Sequence, residues 1–165
     1  MNFQFSEEQL MIQQAARDFA QNECLPGVIE RDEAQKFPKE QIEKLADLGF
    51  LGMMVKAEYG GSGLDTVSYV LAMEEISKVD ASVSVCMSVN NSLVCYGLQE
   101  YGSEEQKQKY LMPLAQGKKD GELYIGAFML SEPEAGSDAT SQRTTAEDKG
   151  DHYLLNGTKN WITNG

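Results

Sequence analysis

Apolar residues recur at helical spacing through most of the chain, with capping and chain-breaking residues between the apolar runs. Ser6 and Gln9 have the spacing of a capping box, in which each side chain bonds the backbone N–H of the other residue. Met11, Ala15 and Phe19 then recur every fourth residue, which places them on one helical face. The pattern predicts an amphipathic first helix with this face packed inward.

A second helix is predicted to begin near Pro38, because proline is favoured in the first turn of a helix. Ile42, Leu45 and Leu48 have the spacing of an inward face. Gly49 follows them and predicts the end of the helix, since glycine readily adopts the left-handed conformation found there.

A third helix is predicted over "SYVLAMEEISKV", after a glycine-rich break, "AEYGGSGLD", at residues 57–65. Val70, Met73 and Ile76 mark its expected apolar face. On the polar side, Glu74 and Lys78 are four residues apart and can form an ion pair. The break itself lacks the lysine and hydroxyl residue of a phosphate loop and is interpreted as a turn.

Residues 81–101 carry two conflicting signals. The alternation in "SVSVCMSV" is typical of a strand. The length of the segment and its small residues suit close helix packing instead, and we predict a helix that ends before Gly102. Ser103 and Gln106 then have capping-box spacing, which predicts a last helix that continues in spite of Pro113.

After Gly117 the pattern changes to short runs rich in aromatic and β-branched residues, separated by turn residues. Residues 127–130 are continuously apolar and are predicted to form a buried strand. Asn156-Gly157, between two such runs, favours a β-hairpin, and "DKGD" at residues 148–151 supplies another turn.

These elements predict an α+β chain. An N-terminal all-α helical domain is expected over residues 1–120, followed over residues 121–165 by the start of an antiparallel β-domain. A chain of 165 residues suits one domain with the beginning of another. A handful of short strands cannot close a sheet, so the sequence is interpreted as the front of a larger protein.

Composition and charge exclude several classes of function. The net charge is −12, so no basic stripe is available for nucleic-acid phosphates or an anionic membrane surface. No apolar run approaches the ~18 residues that suggest a membrane span. The three cysteines, Cys24, Cys86 and Cys95, lack disulfide or zinc spacing and are predicted to be buried free thiols. A cytoplasmic chain is expected, with removal of a targeting segment left open.

Candidate chemistry is sparse outside one loop. His152 is the only histidine, which leaves no Ser-His-Asp set and no metal-ligand cluster; beside a turn it is expected to be solvated. Trp161, the only tryptophan, is by composition alone more often a core residue than a cofactor platform. The loop "SEPEAGSD" at 131–138 concentrates hydroxyls and carboxylates after an apolar run.

That loop belongs to a set of motifs through which the sequence resembles the acyl-CoA dehydrogenase family over essentially its whole length. The motifs are "FSEEQLMIQQAARDFAQNECLP", "EYGGSGLD", "YVLAMEEISKVDAS", "YGSEEQKQKYLMPLAQGK", "FMLSEPEAGSDA" and "LNGTKNWITNG". The last two match the family's flavin-binding signatures. Their conjunction, in this order and after a helical region, is specific.

The resemblance implies an FAD site in which hydroxyls and backbone N–H groups hold the flavin ring and tune its potential. Ser131 and Thr163 match hydroxyl positions and Trp161 an aromatic packing position. Gly136 would permit close backbone approach, and Ser137 would contact both the cofactor and the CoA substrate. The expected cofactor-binding residues are Phe128, Met129, Leu130, Ser131, Gly136, Ser137, Trp161, Ile162 and Thr163.

The reaction implied by the resemblance is α,β-dehydrogenation of an acyl-CoA thioester, followed by transfer of electrons to an electron-transfer flavoprotein. The family's catalytic glutamate lies in a C-terminal helical domain, so no residue of this chain is assigned as catalytic. Glu74, Glu75 and Glu132 do not match it. The family also implies a homo-oligomer, a tetramer in most members.

The resemblance further places the acyl tail beside "CMSVNNSLVCYG", which is most similar to short-chain, butyryl-CoA-type members. Val89, Leu93 and Val94 are the expected tail contacts, with Ser137 as an additional substrate contact. The alternative interpretation of "SVNNSL" is a helix interface with two polar residues. Glu134 departs from the family pattern, and its side chain is expected to point to solvent, away from a pyrophosphate.

Two other functions fit the sequence. One is an acyl-CoA oxidase or nitroalkane oxidase of the same fold, in which oxygen reaches the reduced flavin. The other is a cofactor-free helical interaction module. Slow reoxidation in air would distinguish a dehydrogenase from an oxidase, and bound flavin would exclude the interaction module.

Overall fold

The computed structural model describes residues 4–165 and divides the chain into two compact units, Met1–Gly126 and Ala127–Gly165. The first unit is mostly helical, and the second combines irregular segments with one antiparallel hairpin. Helices with short antiparallel strands confirm the predicted α+β class. The domain boundary after residue 120 stays a prediction, because a compact unit need not be a folding domain.

The helical elements lie in the first unit, apart from a single 3-10 turn. The α-helices are α1 (Glu7–Phe19), α2 (Val28–Glu33), α3 (Lys39–Asp47), α4 (Thr66–Ser77), α5 (Ala81–Ser88), α6 (Tyr96–Tyr101), α7 (Glu104–Gln106) and α8 (Met112–Gln116). Three π-helical turns continue or join them, over Ala20–Cys24, Val89–Cys95 and Lys107–Leu111. A hairpin of β1 (Lys118–Lys119) and β2 (Glu122–Leu123) follows.

The first helix begins as predicted. The Ser6 hydroxyl accepts a hydrogen bond from the Gln9 backbone N–H at 3.1 Å, and Gln9 Oε1 accepts one from the Ser6 N–H at 3.0 Å. Phe19 lies in the core, whereas Met11 is 72% exposed, so that the predicted apolar face is wrong at its first position. The last capping box, at Ser103 and Gln106, is also confirmed.

A buried carboxylate joins α1 to α4. Glu75, with a side chain only 4% exposed, accepts hydrogen bonds from Arg17 Nε at 3.0 Å and Arg17 Nη2 at 3.1 Å. Gln13 Nε2 and Lys78 Nζ each donate to the same carboxylate at 3.1 Å. Arg17 first, and then Lys78, lower the pKa of Glu75 to about 2 against the opposing effect of burial.

The predicted inward faces of the next two helices are partly wrong. Ile42 and Leu45 are fully buried, but Leu48 is 48% exposed because α3 ends before it. In α4, Ile76 is buried while Val70 is 52% exposed. Helix α4 starts at a cap formed by Asp65, and the face that it buries is Ser68, Tyr69, Leu71, Ala72, Glu75 and Ile76. The predicted ion pair of Glu74 and Lys78 is present at 3.1 Å.

The ambiguous segment 81–101 is helical, and the strand alternative is wrong. It consists of α5, the π-helical turn and α6, and it ends before Gly102 as predicted. Asp80 caps α5, since its Oδ1 accepts hydrogen bonds from the backbone N–H groups of Ser82 at 3.0 Å and Val83 at 3.1 Å. The periodicity of the sequence did not predict the π-helical turn.

Asn90, in that turn, is fully buried and bonds three separate backbone segments. Its Nδ2 donates to the carbonyl oxygens of Leu51 at 2.8 Å and Leu114 at 3.0 Å. Its Oδ1 accepts from the Gly126 N–H at 2.9 Å. One side chain therefore bonds backbone polar groups of a loop, of α8 and of the segment after β2.

The Asn91 side chain likewise forms hydrogen bonds with backbone groups of the loop between α3 and α4. Its Oδ1 accepts a hydrogen bond from the Met53 N–H at 2.8 Å. Its Nδ2 donates to the carbonyls of Phe50 at 2.8 Å and Met87 at 3.0 Å. The side chain is only 2% exposed, so that its hydrogen bonds are made out of contact with water. The two asparagines thus fix the loop to the helix.

In the second unit, β3 (Thr145–Asp148) pairs with β4 (Tyr153–Asn156). The turn lies at residues 149–152, where Gly150 has a φ of 95° that favours glycine. The "DKGD" turn is confirmed. The hairpin predicted at Asn156-Gly157 is wrong, because β4 is the last strand in the described part of the chain and pairs only with β3.

The strand predicted over residues 127–130 is also wrong. No strand among the described residues pairs with this segment, and the Leu130 carbonyl accepts hydrogen bonds from the side chains of Gln142 and Lys159. Phe128, Met129 and Leu130 are between 42% and 59% exposed. Apolar composition alone does not form a strand, because strand backbone groups need a partner strand.

Two further predictions concern the cysteines and membrane segments. Cys24, Cys86 and Cys95 are buried free thiols, as predicted, and burial raises the pKa of Cys95 to about 12. In the described part of the chain, no helix is both long enough and apolar enough to span a membrane.

We expect Asn91→Leu to lower the free energy of unfolding by about 2–6 kcal/mol. The substitution leaves the Met53 N–H and the Phe50 carbonyl buried without a partner, at about 1–3 kcal/mol each. Urea unfolding followed by far-ultraviolet circular dichroism measures the difference. Asn22→Leu, at an exposed position, is the matched control and should change the stability by less than about 0.5 kcal/mol. Equal effects in both variants would contradict the anchoring role of Asn91.

Candidate functional site

The loop that the sequence singled out forms a tight turn in the second unit. The Glu132 N–H donates to the Ala135 carbonyl at 3.0 Å, and the Ala135 N–H donates to the Glu132 carbonyl at 3.1 Å. Pro133 and Glu134 occupy the corner between them. Ala135 is buried, whereas Gly136 and Ser137 are exposed. The residues that follow the turn, Gly136 and Ser137, are therefore accessible to solvent.

Glu132 anchors this turn to the segment before β3. Its Oε2 accepts a hydrogen bond from the Arg143 backbone N–H at 2.6 Å, and its Oε1 accepts one from the Thr144 N–H at 3.1 Å. Lys159 Nζ donates to the same Oε1 at 2.8 Å. The Glu132 side chain is 6% exposed and that of Lys159 is 19% exposed, so this ion pair is largely shielded from water.

These donors stabilise the ionised form of Glu132. The Arg143 N–H contributes most and Lys159 next, and together they lower the pKa of Glu132 from 4.5 to about 2. A carboxyl whose pKa is lower in the folded state stabilises that state above its unfolded pKa. The stabilisation is lost as the pH falls through the folded-state value. The stabilisation from Glu132 should therefore be complete above about pH 4.5 and decline progressively as the pH falls toward 2.

The same contacts bring the two predicted flavin segments together. The Asn160 N–H donates to the Ser131 carbonyl at 2.9 Å, and Lys159 Nζ donates to the Leu130 carbonyl at 3.1 Å. Residues 128–137 and 161–163 are therefore joined through the backbone of the second unit. The sequence predicted both segments, and the structure adds the contacts that hold them side by side.

The polar and apolar groups of these segments remain accessible. The hydroxyls of Ser131, Ser137 and Thr163 make no hydrogen bond to any described residue. Trp161 is 93% exposed, while Ile162 is half-buried. The exposed apolar side chains beside them are Phe128, Met129 and Leu130. Three unpaired hydroxyls and an apolar surface suit a flat, partly polar ring system such as a flavin.

The backbone of Trp161 is unusual. Its φ of 60° lies in the left-handed region, which costs a residue with a Cβ atom about 1–2 kcal/mol. At Gly136 the φ is not positive, and an added Cβ would meet no atom within 4 Å. Strained backbone at an exposed aromatic residue is typical of a functional position.

Glu134 points to solvent, as expected. Its side chain is 65% exposed and forms an ion pair with Arg143 Nη1. His152 is also solvated, with a side chain 64% exposed that contacts Asp151. Across residues 4–165, no group of three or more histidine, cysteine, aspartate or glutamate side chains could hold a metal ion.

The predicted acyl-tail residues lie in the first unit, on the π-helical turn Val89–Cys95. Leu93 is 43% exposed, and Val89 and Val94 are half-buried. Asn90 and Asn91 interrupt this set, and their contacts match the alternative interpretation of a polar helix interface. A single π-helical turn thus carries both buried polar anchors and partly exposed apolar side chains, which is common at functional sites.

Sequence reasoning missed the pairing of Glu132 with Lys159. One signal was present: Lys159 is the only charged residue between Tyr153 and Gly165. The Asn160 N–H to Ser131 bond had no comparable signal, because backbone pairing outside regular strands leaves no pattern.

The chain thus consists of a helical first unit and a second unit that carries a candidate cofactor surface. The anchored turn and the exposed Trp161 side chain both belong to this second unit. Comparison with known proteins identifies the class of protein. The model of the acyl-CoA dehydrogenase N-terminal domain matches residues 6–118, and that of the acyl-CoA dehydrogenase middle domain matches residues 127–165. The chain belongs to the acyl-CoA dehydrogenase family.

Among curated relatives, the chain is 46% identical to the short-chain specific acyl-CoA dehydrogenase of Clostridium acetobutylicum, over 100% of this chain and 42% of the relative. It is 48% identical to the human mitochondrial short-chain specific enzyme, over 96% of this chain and 37% of the relative. The chain therefore spans about two fifths of the length of the relatives that it matches.

Solved structures give the same picture. The butyryl-CoA dehydrogenase of Megasphaera elsdenii superposes with a TM-score of 0.91 at 41% identity, over 100% of this chain and 43% of that one. A chain in a structure of the electron transferring flavoprotein of Acidaminococcus fermentans has a TM-score of 0.93 at 48% identity, with 100% and 42% covered. An acyl-CoA dehydrogenase from Bacillus anthracis complexed with FAD has a TM-score of 0.85 at 36% identity, with 96% and 27% covered.

We expect the amide resonances of Arg143 and Thr144 to titrate with a midpoint near pH 2, because their N–H groups donate to the Glu132 carboxylate. Nitrogen–proton correlation spectra between pH 5 and 1.5 measure this midpoint. The titration should disappear in Glu132→Gln and persist in Glu134→Gln, which removes a neighbouring exposed carboxylate. A midpoint near 4.5, the usual value for glutamate, would show that the carboxylate is not anchored in solution.

Proposed function

We propose that this chain is the N-terminal part of an FAD-dependent acyl-CoA dehydrogenase that oxidises a short-chain acyl-CoA. The reaction is α,β-dehydrogenation of the thioester, with electrons passed to an electron-transfer flavoprotein. The observation that carries the proposal is the junction of the two signature segments, at which Asn160 and Lys159 bond the carbonyls of Ser131 and Leu130. Family membership and short-chain relatives support the same reaction.

The cofactor surface is proposed to be the exposed side of this junction. Ser131 and Thr163 offer hydroxyls without protein partners among the described residues, and Trp161 offers an exposed aromatic face. The chemistry that FAD supplies when bound is the acceptance of a hydride. The chain's own residues would position the ring, exclude water along Phe128–Leu130 and supply hydrogen bonds. Gly136 and Ser137 would lie toward the pyrophosphate and the CoA substrate.

The proposed substrate is a short acyl chain next to the π-helical turn of the first unit. Val89, Leu93 and Val94 present apolar side chains that are only partly covered there. The buried amides of Asn90 and Asn91 hold this turn in one position, which suits a pocket that discriminates by length. The relatives named for short-chain or butyryl substrates support this class.

The catalytic base is proposed to lie outside these 165 residues. The two buried glutamates are already engaged, since Glu75 binds Arg17 and Lys78, and Glu132 binds Lys159 and two backbone N–H groups. Neither carboxylate is free to accept a proton in this arrangement. By family resemblance the base belongs to a C-terminal helical domain, and for that reason the 165-residue chain alone is expected to be inactive.

Assembly and location extend the proposal. An electron-transfer flavoprotein is the expected electron acceptor, and a homotetramer is the expected assembly, both by family membership. A cytoplasmic location stays a prediction from the sequence. The acidic net charge of −12 offers no support for nucleic acid as a partner.

The proposal is tested with the full-length protein, purified and examined for flavin absorbance. Anaerobic addition of butyryl-CoA should bleach the flavin faster than octanoyl-CoA, and admission of air should restore the colour slowly. Rapid reoxidation would show an oxidase of the same fold. Absence of flavin after reconstitution with FAD would contradict the proposed function and support the interaction-module alternative.

We expect Ser131→Ala and Thr163→Val to weaken FAD retention or shift its reduction potential without unfolding the protein. Each removes one hydroxyl, and a neutral hydrogen bond contributes about 0.5–1.5 kcal/mol, up to roughly a tenfold change in binding. Equilibrium dialysis and a redox dye titration measure both quantities. Thr158→Val, which removes an exposed hydroxyl three residues before Trp161, is the control. Parent-like affinity and potential in both variants would remove these roles.

We expect Leu93→Ala to shift the chain-length preference of the full-length enzyme toward longer acyl-CoA substrates. Removal of the side chain would enlarge the proposed acyl slot, and an apolar slot discriminates by only ~1–3 kcal/mol per methylene, so the shift should be graded. The kcat/KM values for butyryl-, hexanoyl- and octanoyl-CoA measure it. Val85→Ala, one helical turn before Val89 at a 46% exposed position, should keep the parental profile. An unchanged profile in Leu93→Ala, Val89→Ala and Val94→Ala would contradict the assignment.

A further inference from the structure

We propose that Glu132 and Lys159 form a positioning pair that sets the geometry of the flavin surface. The inference rests on the proposed function, because it assigns a role in cofactor binding to the Glu132 and Lys159 contacts next to the proposed flavin surface. Neither side chain is expected to touch the cofactor. They act by fixing Ser131 on one segment relative to Trp161 on the other.

Hydrogen bonds fix the backbone of Ser131 at three points: at the preceding residue, at the following residue and at its own carbonyl. Before it, the Leu130 carbonyl accepts from Lys159 Nζ at 3.1 Å. After it, the Glu132 carboxylate accepts from Lys159 Nζ at 2.8 Å. The Ser131 carbonyl itself accepts from the Asn160 N–H at 2.9 Å. Lys159 therefore bonds the residues on either side of Ser131, and the backbone of Ser131 has little freedom to move.

The carboxylate also fixes the other end of the loop. The N–H groups of Arg143 and Thr144 donate to separate oxygens of Glu132, at 2.6 Å and 3.1 Å. Both oxygens of the carboxylate therefore have donors, as a largely buried charge requires. A polar anchor of this kind is needed because the second unit has little apolar interior: among residues 127–165, Ala135 is the one buried apolar side chain.

The chemistry of the pair is specific for a carboxylate. Glutamine has nearly the same shape, but it carries one acceptor oxygen and an amide that donates. In Glu132→Gln the amide NH2 group would replace one of the two carboxylate oxygens. In one orientation it would face the Arg143 N–H, and in the other it would face the Thr144 N–H and the Lys159 ammonium. In both cases two donors would oppose each other. The loop would have to move to separate them, and Ser131 would move with it.

Lys159 gives an independent test of the pair. Lys159→Met removes the ammonium but leaves the bonds of Glu132 to Arg143 and Thr144, so the turn itself should persist. Lys159→Arg restores a cation and should recover much of the parental behaviour. Glu134→Gln is the matched control, because Glu134 lies two residues from Glu132 on the same loop with a side chain 65% exposed.

The experiment uses the full-length protein and two readouts. Amide hydrogen exchange at Arg143, Thr144 and Asn160, measured without flavin, reports whether the segments are joined. The FAD dissociation constant, reduction potential and visible spectrum report whether the joined segments shape the cofactor surface. Thermal unfolding of each variant shows whether the rest of the protein is intact.

We expect Glu132→Gln to accelerate exchange at these amides and to weaken FAD binding at least about tenfold, with a shifted flavin spectrum. Lys159→Met should show a smaller loss in both readouts, Lys159→Arg should recover it, and Glu134→Gln should match the parent. Faster exchange together with parental affinity, potential and spectrum would overturn the positioning role while the proposed flavin function stands. Unchanged exchange in Glu132→Gln would overturn it as well. Absence of flavin from the parent would overturn both proposals.

Discussion

Buried backbone polar groups must be paired, and this requirement shapes the chain wherever its helices and strands are interrupted. Three side chains supply hydrogen bonds to backbone groups where the helices and strands are interrupted. Asn90 and Asn91 bond backbone groups of the loop after α3, of α5, of α8 and of the segment after β2, and Glu132 bonds the N–H groups that precede the hairpin of the second unit. Each is nearly inaccessible to water, so that each hydrogen bond is strong and its loss is costly.

The two units use this principle to different degrees. The first unit has a contiguous apolar core, to which α1, α3, α4 and α5 contribute, and its asparagines refine a structure that apolar burial already stabilises. The second unit buries a single apolar side chain, Ala135, among residues 127–165. Its local order therefore depends on hydrogen bonds and on the ion pair of Glu132 with Lys159, and its apolar side chains remain available to a ligand.

Sequence reasoning succeeded where a local signal determines local structure. The capping boxes at Ser6 and Ser103 and the turn at Gly150 were predicted because short-range hydrogen bonds and glycine conformation depend on a few neighbouring residues. It failed at Leu48, which lies beyond the end of α3, and at Val70, because packing against α1 and α5 selects the buried face of α4. The apolar run at 127–130 was misread as a strand because it has no strand partner among the described residues.

The candidate site was predictable in part. Its segments were predicted by motif resemblance, and whether the individual residues contact a cofactor stays a proposal. The junction that holds the segments depends on Glu132, Lys159 and Asn160, whose pairing connects positions 27 to 29 residues apart and has no periodic signature. The π-helical turn that contains the proposed acyl-tail residues was likewise not predicted, because an extra residue in a helical turn does not alter the apolar spacing enough to detect.

A crystal structure of the full-length protein with FAD and butyryl-CoA would decide whether the two signature segments form the flavin surface. We expect the hydroxyls of Ser131 and Thr163 within hydrogen-bond distance of the flavin ring, at about 2.7–3.2 Å. We also expect Glu132 and Lys159 to remain paired and the acyl tail to contact Leu93. A flavin bound at another surface, or one bound at this surface with the Glu132–Lys159 pair broken, would refute the proposed arrangement.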